Sequence, residues 1–215
     1  MIRNPLVAAL IGLLALAEIA LAQPTRDASL ADLGDQRSVE ARRRGAEGLA
    51  QIGAMEDLAP LAKALRDIDP QVRLEAERAM WQVWSRSGDA EADRLLSVGV
   101  QQMNAGAPEA AIDTFSRVIR LRPEFAEGWN KRATVYYLVG DYQKSLSDCD
   151  EVMKRNRFHF GALSGYGMIY LQLGLLDKSL TYFEQALQIN PNLESVEETA
   201  EMLRRLLKQR RREAI

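Results

Sequence analysis

Small residues recur along this chain at a fixed interval of 34 positions. Gly99, Ala133 and Gly167 share this spacing. A second column with the same period consists of three glycines, Gly106, Gly140 and Gly174. A fixed period of this length indicates one supersecondary unit that is copied and stacked, so that each copy buries its apolar face against its neighbours. The chain is therefore predicted to form an array with an extended surface.

Other columns of the repeat separate large residues from small ones. A large column contains Leu95, Trp129 and Leu163, and a small column contains Ala111, Ser145 and Ser179. Close-packed helices require both kinds of column, because the ridges of one helix enter the grooves of the next. In the first copy the pattern predicts helices over 92–105 and 108–121, with a turn at Gly106 and an end before Pro123, since proline cannot continue a helix. The predicted fold class is all-α, a solenoid of helical hairpins.

The repeats resemble the tetratricopeptide repeat (TPR) family, whose signature has Trp, Leu, Gly and Tyr on the first helix, followed by Ala, Phe and Pro. The matching residues are Ala111, Phe115 and Pro123 in the first copy, Trp129, Ala133 and Tyr136 in the second, and Gly167, Tyr170, Phe183 and Pro191 in the third. The resemblance covers residues 89–191, as three repeats of approximately 92–125, 126–159 and 160–193, and it implies a right-handed α-solenoid. The sequence departs from the pattern at Arg132, Cys149 and Arg157.

The first 22 residues have the composition of an export signal. An apolar run over residues 5–17 follows Arg3, and Ala20-Leu21-Ala22 supplies the small residues that signal peptidase reads. The run is short for a bilayer span, which needs about 20 apolar residues, and Glu18 interrupts it. A cleaved signal peptide is therefore predicted, with Gln23 as the first mature residue. The mature chain is expected to be secreted across the inner membrane into the periplasm; the alternative is a retained membrane anchor.

Two further segments precede the array. Residues 23–35 are polar and lack a sustained helical period, which predicts a linker. Within residues 36–88, a pattern of basic, small and apolar residues over 42–52 returns 31 positions later over 73–83. Between these copies, helical spacing is kept by Leu58, Leu61, Leu65 and Ile68. The stretch 69–76 resembles the start of a second helix in HEAT-like repeats, so residues 36–88 are predicted to be HEAT-like; the alternative is an irregular helical region that covers the exposed end of the array.

The segment 192–215 is predicted to be a helix that caps the last repeat. Its apolar residues recur at helical spacing, namely Leu193, Val196, Ala200, Leu203 and Leu207. It ends in a basic cluster made of Arg204, Arg205, Lys208, Arg210, Arg211 and Arg212. This cluster permits at most a weak membrane contact or an acidic partner, because cations also suit a helix C-terminus. A second basic run, over 42–44, is expected on a solvent-exposed helix face.

The composition and motifs indicate no enzyme. The formal net charge is −2, which does not suggest nucleic-acid binding. The sequence contains no phosphate-binding glycine loop, Cys/His cluster or nucleophile elbow, so neither a cofactor nor a metal is predicted. The single histidine, His159, lies between aromatic residues in an inter-repeat loop and is expected to be structural. Cys149 occupies a column otherwise filled by phenylalanine, which predicts a buried small apolar residue.

The TPR resemblance implies that the first helices of successive repeats line a concave groove. The implied groove residues are Leu96, Val100, Met103 and Asn104 in the first repeat, Asn130, Thr134, Tyr137 and Leu138 in the second, and Ser164, Met168, Leu171 and Gln172 in the third. A TPR subclass clamps a C-terminal carboxylate with Lys, Asn and Arg, but this chain has Leu96, Val100, Gly161 and Gly165 at corresponding positions. That ligand is therefore disfavoured.

An apolar lining with two methionines suits an apolar or amphipathic peptide segment. The sequence therefore predicts a non-enzymatic, exported scaffold that binds a protein or peptide partner in the groove. An alternative is that an added helix, from the linker, fills the groove. A different functional alternative is an accessory or assembly subunit of a cell-envelope enzyme or transport complex.

Overall fold

The computed structural model describes residues 23–213, so the predicted signal peptide lies outside the described residues. The α-helices of this part are α1 (Arg26–Leu33), α2 (Val39–Ile52), α3 (Leu58–Ala64), α4 (Pro70–Trp84), α5 (Ala90–Asn104), α6 (Pro108–Leu121), α7 (Ala126–Leu138), α8 (Tyr142–Arg155), α9 (Phe160–Gln172), α10 (Leu176–Ile189) and α11 (Glu194–Glu213). A short 3₁₀ helix, Met55–Asp57, precedes α3. Within residues 23–213, none of the helices combines the length and the apolar character needed to cross a bilayer.

The three predicted repeats form helical hairpins, α5 with α6, α7 with α8, and α9 with α10. Each hairpin turns at a glycine of the column in which the sequence predicted the turn. Gly106, Gly140 and Gly174 have φ angles of +72°, +80° and +70°, a region that residues with a side chain rarely adopt. The solenoid fold is thus confirmed. α11 packs on α10 through Ala200 and Leu203, which makes it the predicted cap.

Within each hairpin, a small residue on the first helix faces a matched residue on the second. A Cβ atom on Gly99 would lie 2.5 Å from the ring of Phe115, and one on Gly167 would lie 2.4 Å from Phe183. The middle repeat has Ala133 in this position, and its partner is the smaller Cys149. The two departures from the periodic columns therefore compensate each other, because the added methyl group leaves no room for a phenylalanine ring.

Arg132, the charged residue that departs from the repeat pattern, also has a hydrogen-bonding partner. Arg132 makes two hydrogen bonds of 2.8 Å to the carboxylate of Asp148 on α8 and one of 2.9 Å to Ser116 on α6. The Asp148 hydrogen bond raises the pKa of Arg132. The ion pair lies within the second repeat and replaces an apolar contact there, while the hydrogen bond to Ser116 links the second repeat to the first.

Trp129 does not fill the gap between the first and second repeats. It is half-buried against Val152 and Ala162, on the side of the third repeat. The guanidinium groups of Arg132 and Arg155 lie 5.1 and 4.9 Å from its ring centroid. The signature tryptophan of the repeat is therefore present, but guanidinium groups rather than core side chains cover part of its ring.

The predicted linker 23–35 is wrong, because this segment contains helix α1. The side chain of Thr25 caps the helix, and the backbone of Leu33 approaches α2 so closely that a Cβ atom on Gly45 would lie 2.3 Å from it. Ser29 fits in the same way against Gly48. A helix of eight residues that packs through small residues leaves almost no apolar period in the sequence.

Residues 36–88 are helical, as the periodicity indicated, but two details differ. α3 ends at Ala64, so Ile68 lies in a loop and is 89% exposed instead of continuing the apolar face. The basic run 42–44 is not all solvated. Arg42 is buried and binds Asp67 with two hydrogen bonds of 2.6 and 3.0 Å, and Arg43 pairs with Asp69 at 2.8 Å. The HEAT-like classification stays a prediction.

We call residues 26–84, which contain α1 to α4, the N-terminal module. Its core does not continue into that of the first repeat; it continues into the third repeat, through Phe160, Leu163 and Ala186. Hydrogen bonds reinforce this contact, with Arg66 donating to the carbonyl of Ile189 at 3.1 Å and Asn192 to that of Leu65 at 2.8 Å. The module therefore packs along the edge of the array that carries the inter-repeat loops, which differs from the alternative of an irregular region that covers the exposed end of the array.

Candidate peptide-binding groove

The first helices of the second and third repeats enclose a small cavity of about 120 Å³. Four of the predicted groove residues line it: Asn130, Thr134 and Tyr137 from α7, and Met168 from α9. Its floor includes Cys149. We call this cavity the groove pocket.

The groove pocket exists because several side chains are small. A Cβ atom on Gly165 would stand 3.7 Å from the sulfur of Cys149, so that neither residue fills the space between the helices. In the other two hairpins the position of Cys149 is held by phenylalanine. The smaller Cys149 of the middle repeat therefore leaves a space that a phenylalanine ring occupies in the other two repeats.

Two of the polar side chains that line the groove pocket already have hydrogen-bond partners. The side-chain amide of Asn130 donates to Glu127 at 3.1 Å, and the hydroxyl of Thr134 donates to the carbonyl of Asn130 at 2.9 Å. Tyr137 packs beside Tyr142, with ring centroids 5.9 Å apart. A ligand group entering the pocket therefore meets apolar surface and satisfied polar atoms.

The predicted groove residues of the second and third repeats differ in exposure. Leu138 is 64% exposed and Met168 is 37% exposed, while Leu171 is half-buried beside the cluster of Phe183 and α11. Ser164 is half-buried and bonded to the carbonyl of Phe160, and Gln172 is exposed.

The first repeat contributes less than the sequence predicted. Leu96 is only 7% exposed and belongs to the core between α5 and the second repeat, so its assignment to the groove is wrong. Val100 and Met103 are partly buried against the same core, and Asn104 is exposed. Leu96 shares this buried cluster with Val135 of α7. None of these four residues lines the groove pocket.

Two exposed apolar residues on the capping helix were not predicted from the sequence. Met202 and Leu206 lie one 34-residue step after Met168 and Gln172, and they are 49% and 37% exposed. Since α11 packs on α10, it takes the place of a fourth first helix. Extending the 34-residue period beyond Pro191 would have identified both residues.

The N-terminal module covers one end of the concave face. A Cβ atom on Gly161 would lie 2.8 Å from the ring of Trp81 on α4, and the amine of Lys131 lies 6.0 Å from the centroid of the same ring. The alternative of a linker helix filling the groove is not observed, because α1 packs on α2. The covering helix is α4, and it reaches only the start of α9.

Below this contact lies a buried joint between the module and the array. His159 caps α9 by accepting a hydrogen bond at Nδ1 from the amide of Ala162, so the proton is on Nε2, 3.0 Å from the carboxylate of Glu127. The imidazole stacks on Trp84, with ring centroids 4.3 Å apart. The lone histidine is therefore a structural residue in a neutral tautomer, as its position between aromatic residues suggested.

Burial tends to raise the pKa of Glu127, but the hydrogen bond from His159 and the charge of Lys131, 2.9 Å away, lower it below its ordinary value. Glu127 is thus ionised at neutral pH. Its contribution to stability is present above the ordinary glutamate range and is lost as the pH falls through the lowered pKa.

Residues 23–213 contain no group of three or more His, Cys, Asp or Glu side chains placed to hold a metal ion. Burial, with the charges of Asp148 and Asp150, raises the pKa of Cys149 to about 12, so that its thiol is protonated and inert at neutral pH. The prediction of a buried apolar residue at Cys149 is confirmed.

The fold defines a helical-repeat protein, and comparisons with known proteins agree. The tetratricopeptide repeat family model matches residues 160–193. A TPR repeat-containing protein of Rhizobium etli is 33% identical over 138 residues, which cover 64% of this chain and 68% of that protein. The chain belongs to the tetratricopeptide repeat family.

A second relative, the FK506-binding protein-like protein of Mus musculus, is 27% identical over 171 residues, and this chain spans 47% of its length. Among solved structures, the TPR domain of Sgt2 from Aspergillus fumigatus superposes with a TM-score of 0.55 at 19% identity, over 59% of this chain and 85% of that one. The first TPR of Spaghetti (RPAP3), bound to an HSP90 peptide, gives 0.53 at 22% identity, over 56% and 96%. These structures show the shared fold.

Proposed function

We propose that this protein is a non-enzymatic scaffold that binds an apolar or amphipathic segment of another protein on the concave face of its array. TPR domains generally mediate protein–protein or peptide interactions. The observation that carries the proposal for this chain is the groove pocket, which lies between the first helices of two repeats and has the partly exposed Met168 in its wall. Apolar pockets with few polar groups are the usual binding sites for ligand side chains.

The size and chemistry of the groove pocket indicate what it binds. About 120 Å³ is the volume of roughly four water molecules, enough for one branched aliphatic or methionine side chain. An acidic C-terminal peptide fits poorly, because Lys131 is already paired with the buried Glu127 and the positions of Gly161 and Gly165 carry no side chain. We therefore expect a helix or extended segment that anchors one apolar side chain between α7 and α9.

The test uses a short peptide selected from a displayed library against the wild-type protein. Met168→Glu is expected to weaken its binding by about tenfold or more, because a charge without a partner would be buried by the ligand. Leu121→Glu is the matched control, since Leu121 is 47% exposed but lies on the second helix α6. Fluorescence anisotropy gives both affinities, and circular dichroism checks helicity. Equal affinities for the wild type and a folded Met168→Glu variant would contradict the proposal.

We also propose that the protein is exported and works in the periplasm. The support is the apolar run over residues 5–17 followed by Ala20-Leu21-Ala22. N-terminal sequencing of the protein purified from its own host is expected to begin at Gln23. An intact Met1 on a membrane-bound form would instead indicate a retained anchor.

A second candidate function is that of an accessory or assembly subunit of a cell-envelope enzyme or transport complex. It is favoured by exposed apolar residues at the turns of the second and third hairpins, namely Val139, Leu173 and Leu175. This surface lies outside the groove pocket. If the purified chain selects no peptide yet is stable only with a co-purifying protein, the subunit role replaces the peptide-binding role.

A further inference from the structure

The indole ring of Trp81 lies at one end of the gap between α7 and α9. A Cβ atom on Gly161, near the start of α9, would lie 2.8 Å from this ring. From α7, the amine of Lys131 stands 6.0 Å from the ring centroid. These two helices also enclose the groove pocket, and Gly161 is one of its lining residues. Trp81 therefore adjoins the groove pocket at the end where α4 packs.

Trp81 is held in place by other rings, yet part of it remains accessible. Its ring packs edge-on against Trp84 and Phe160, at centroid distances of 4.8 and 5.4 Å. The residue is only partly buried, and it lines a shallow surface cleft on α4 together with Leu74 and Arg78. A rigid, partly accessible tryptophan is the kind of side chain that contributes most to binding a partner, because little conformational entropy is lost there.

The charged groups beside Trp81 on α4 are already paired. Arg78 lies 3.5 Å from the carboxylate of Glu75. Glu77 accepts a hydrogen bond of 3.0 Å from the side chain of Asn190. A ligand that reaches Trp81 is therefore expected to contact it with an apolar side chain rather than with a charge.

The spacing between Trp81 and the groove pocket equals about one turn of an α-helix. The floor of the pocket, Cys149, lies opposite Gly165, while Trp81 approaches Gly161, four residues earlier on α9. Four residues of an α-helix rise by about 6 Å. A helical ligand that lies along α9 can therefore place two side chains four positions apart, one in the pocket and one against Trp81.

The groove favours a helix over an extended strand as the ligand. An extended segment needs partners on the binding surface for its backbone N–H and C=O groups, whereas a helix pairs these groups internally. The side chains of Asn130 and Thr134 are already hydrogen-bonded within α7. On α9, Ser164 donates to the carbonyl of Phe160, and Gly165 has no side chain. These positions therefore offer little to an extended backbone.

We propose that Trp81 is a second anchor point for the partner, beside the groove pocket. The partner segment is an amphipathic helix with two apolar residues four positions apart, one for the pocket and one for Trp81. This inference rests on the proposed groove function and adds the N-terminal module to the binding site. The packing of the module on the third repeat is what places Trp81 at the end of the groove.

The probe is a peptide selected from a displayed library against the wild-type protein, with its affinity measured by fluorescence anisotropy. Each of its two apolar anchor residues is replaced by alanine, and every peptide is measured with the wild type and with Trp81→Ala. Trp81→Ala is expected to weaken binding of the parent peptide by about tenfold. One of the two peptide alanines should then cause no further loss, whereas the other should cause the same loss with both proteins.

The control variant is Leu121→Ala, which removes an exposed apolar side chain from α6 and should bind as the wild type does. A second pair of peptides tests the helix. Proline placed between the two anchors is expected to weaken binding by about tenfold or more, whereas alanine at the same position should not. Equal binding of these two peptides would overturn the helical ligand.

The failure of this inference can be told apart from failure of the groove function. If Met168→Glu weakens binding but folded Trp81→Ala does not, Trp81 is no anchor and the groove function stands. If neither variant weakens binding, both proposals are overturned. Circular dichroism establishes that each variant is folded.

A measurement on the wild-type protein covers the case in which Trp81→Ala does not fold. The peptide carries a nitroxide at one end or at the other, and the two labelled forms are compared by NMR. One label is expected to broaden the signals of α4 around Trp81, and the other those around Leu138 at the end of α7. Broadening of no α4 signal by either label would overturn the proposal.

Discussion

Replacing Trp84 with alanine is expected to lower the free energy of unfolding by about 3–5 kcal/mol, the cost typical of removing a buried Trp side chain. Trp84 is 2% exposed, stacks on His159 and packs 4.9 Å from the ring of Phe160. The substitution therefore opens the joint that holds the N-terminal module on the second and third repeats. Urea denaturation followed by circular dichroism measures the loss.

The control for this prediction is Trp129→Ala, which removes the same side chain from a partly exposed site. Its cost is expected to be about 2 kcal/mol, because part of the ring is already in water or under the guanidinium groups of Arg132 and Arg155. Equal losses in the two variants would contradict the difference in burial on which the description of the joint depends.

Replacing Phe183 with alanine is expected to cost about 3–5 kcal/mol as well. Its ring is 1% exposed, fills the space above Gly167 and contacts the cluster that holds α11. The cavity left behind cannot be closed by a residue that has no side chain. We therefore expect α11 to lose its protection against hydrogen exchange before the first repeat does.

Cys149→Ala is the matched substitution in the same column and is expected to cost about 1 kcal/mol, because a much smaller apolar group is removed. The unfolding free energies of the two variants, measured by urea denaturation, test the pairing of columns. A loss for Phe183→Ala as small as that for Cys149→Ala would mean that the ring does not support the cap.

The sequence predicted the repeat part of the fold because its determinants are local and periodic. The hairpin turns were predictable from Gly106, Gly140 and Gly174, since a positive φ angle at a fixed interval leaves a glycine column. The burial of Cys149 followed in the same way from its column. The end of α6 at Leu121 followed from Pro123.

What the sequence did not predict depends on contacts between distant segments. The docking of the N-terminal module on the third repeat rests on residues such as Trp84 and Phe160, which carry no mutual spacing signal. Leu96 is buried in a cluster that includes Val135 of the next repeat. Helix α1 was missed because its eight residues are too few for a sustained period, and its close contact with α2 is made through Ser29 and two glycines besides Leu30 and Leu33.

In the groove, the sequence predicted which helices line it but not how deeply each residue is buried. Asn130, Thr134, Tyr137 and Met168 meet at one pocket because they lie on adjacent first helices in the same phase. The pocket itself results from the small side chain of Cys149. The phenylalanines at this position in the other repeats predicted that it would be fully packed instead. The replacement of phenylalanine by Cys149 in the repeat pattern thus marks the groove pocket, but this could be recognised only after the structure showed which residues surround Cys149.

The central claim is that a partner segment binds at the groove pocket, and its most direct test is to fill that pocket. The double variant Ala133→Gly/Cys149→Phe recreates the Gly–Phe pairing of the other two hairpins, so that a phenylalanine ring replaces the small floor without overpacking. Anisotropy of a library-selected peptide is measured with the wild type and this variant, after urea denaturation has shown that the variant is folded. We expect the affinity to fall by about tenfold or more. An unchanged affinity in the folded double variant would contradict binding at the groove pocket.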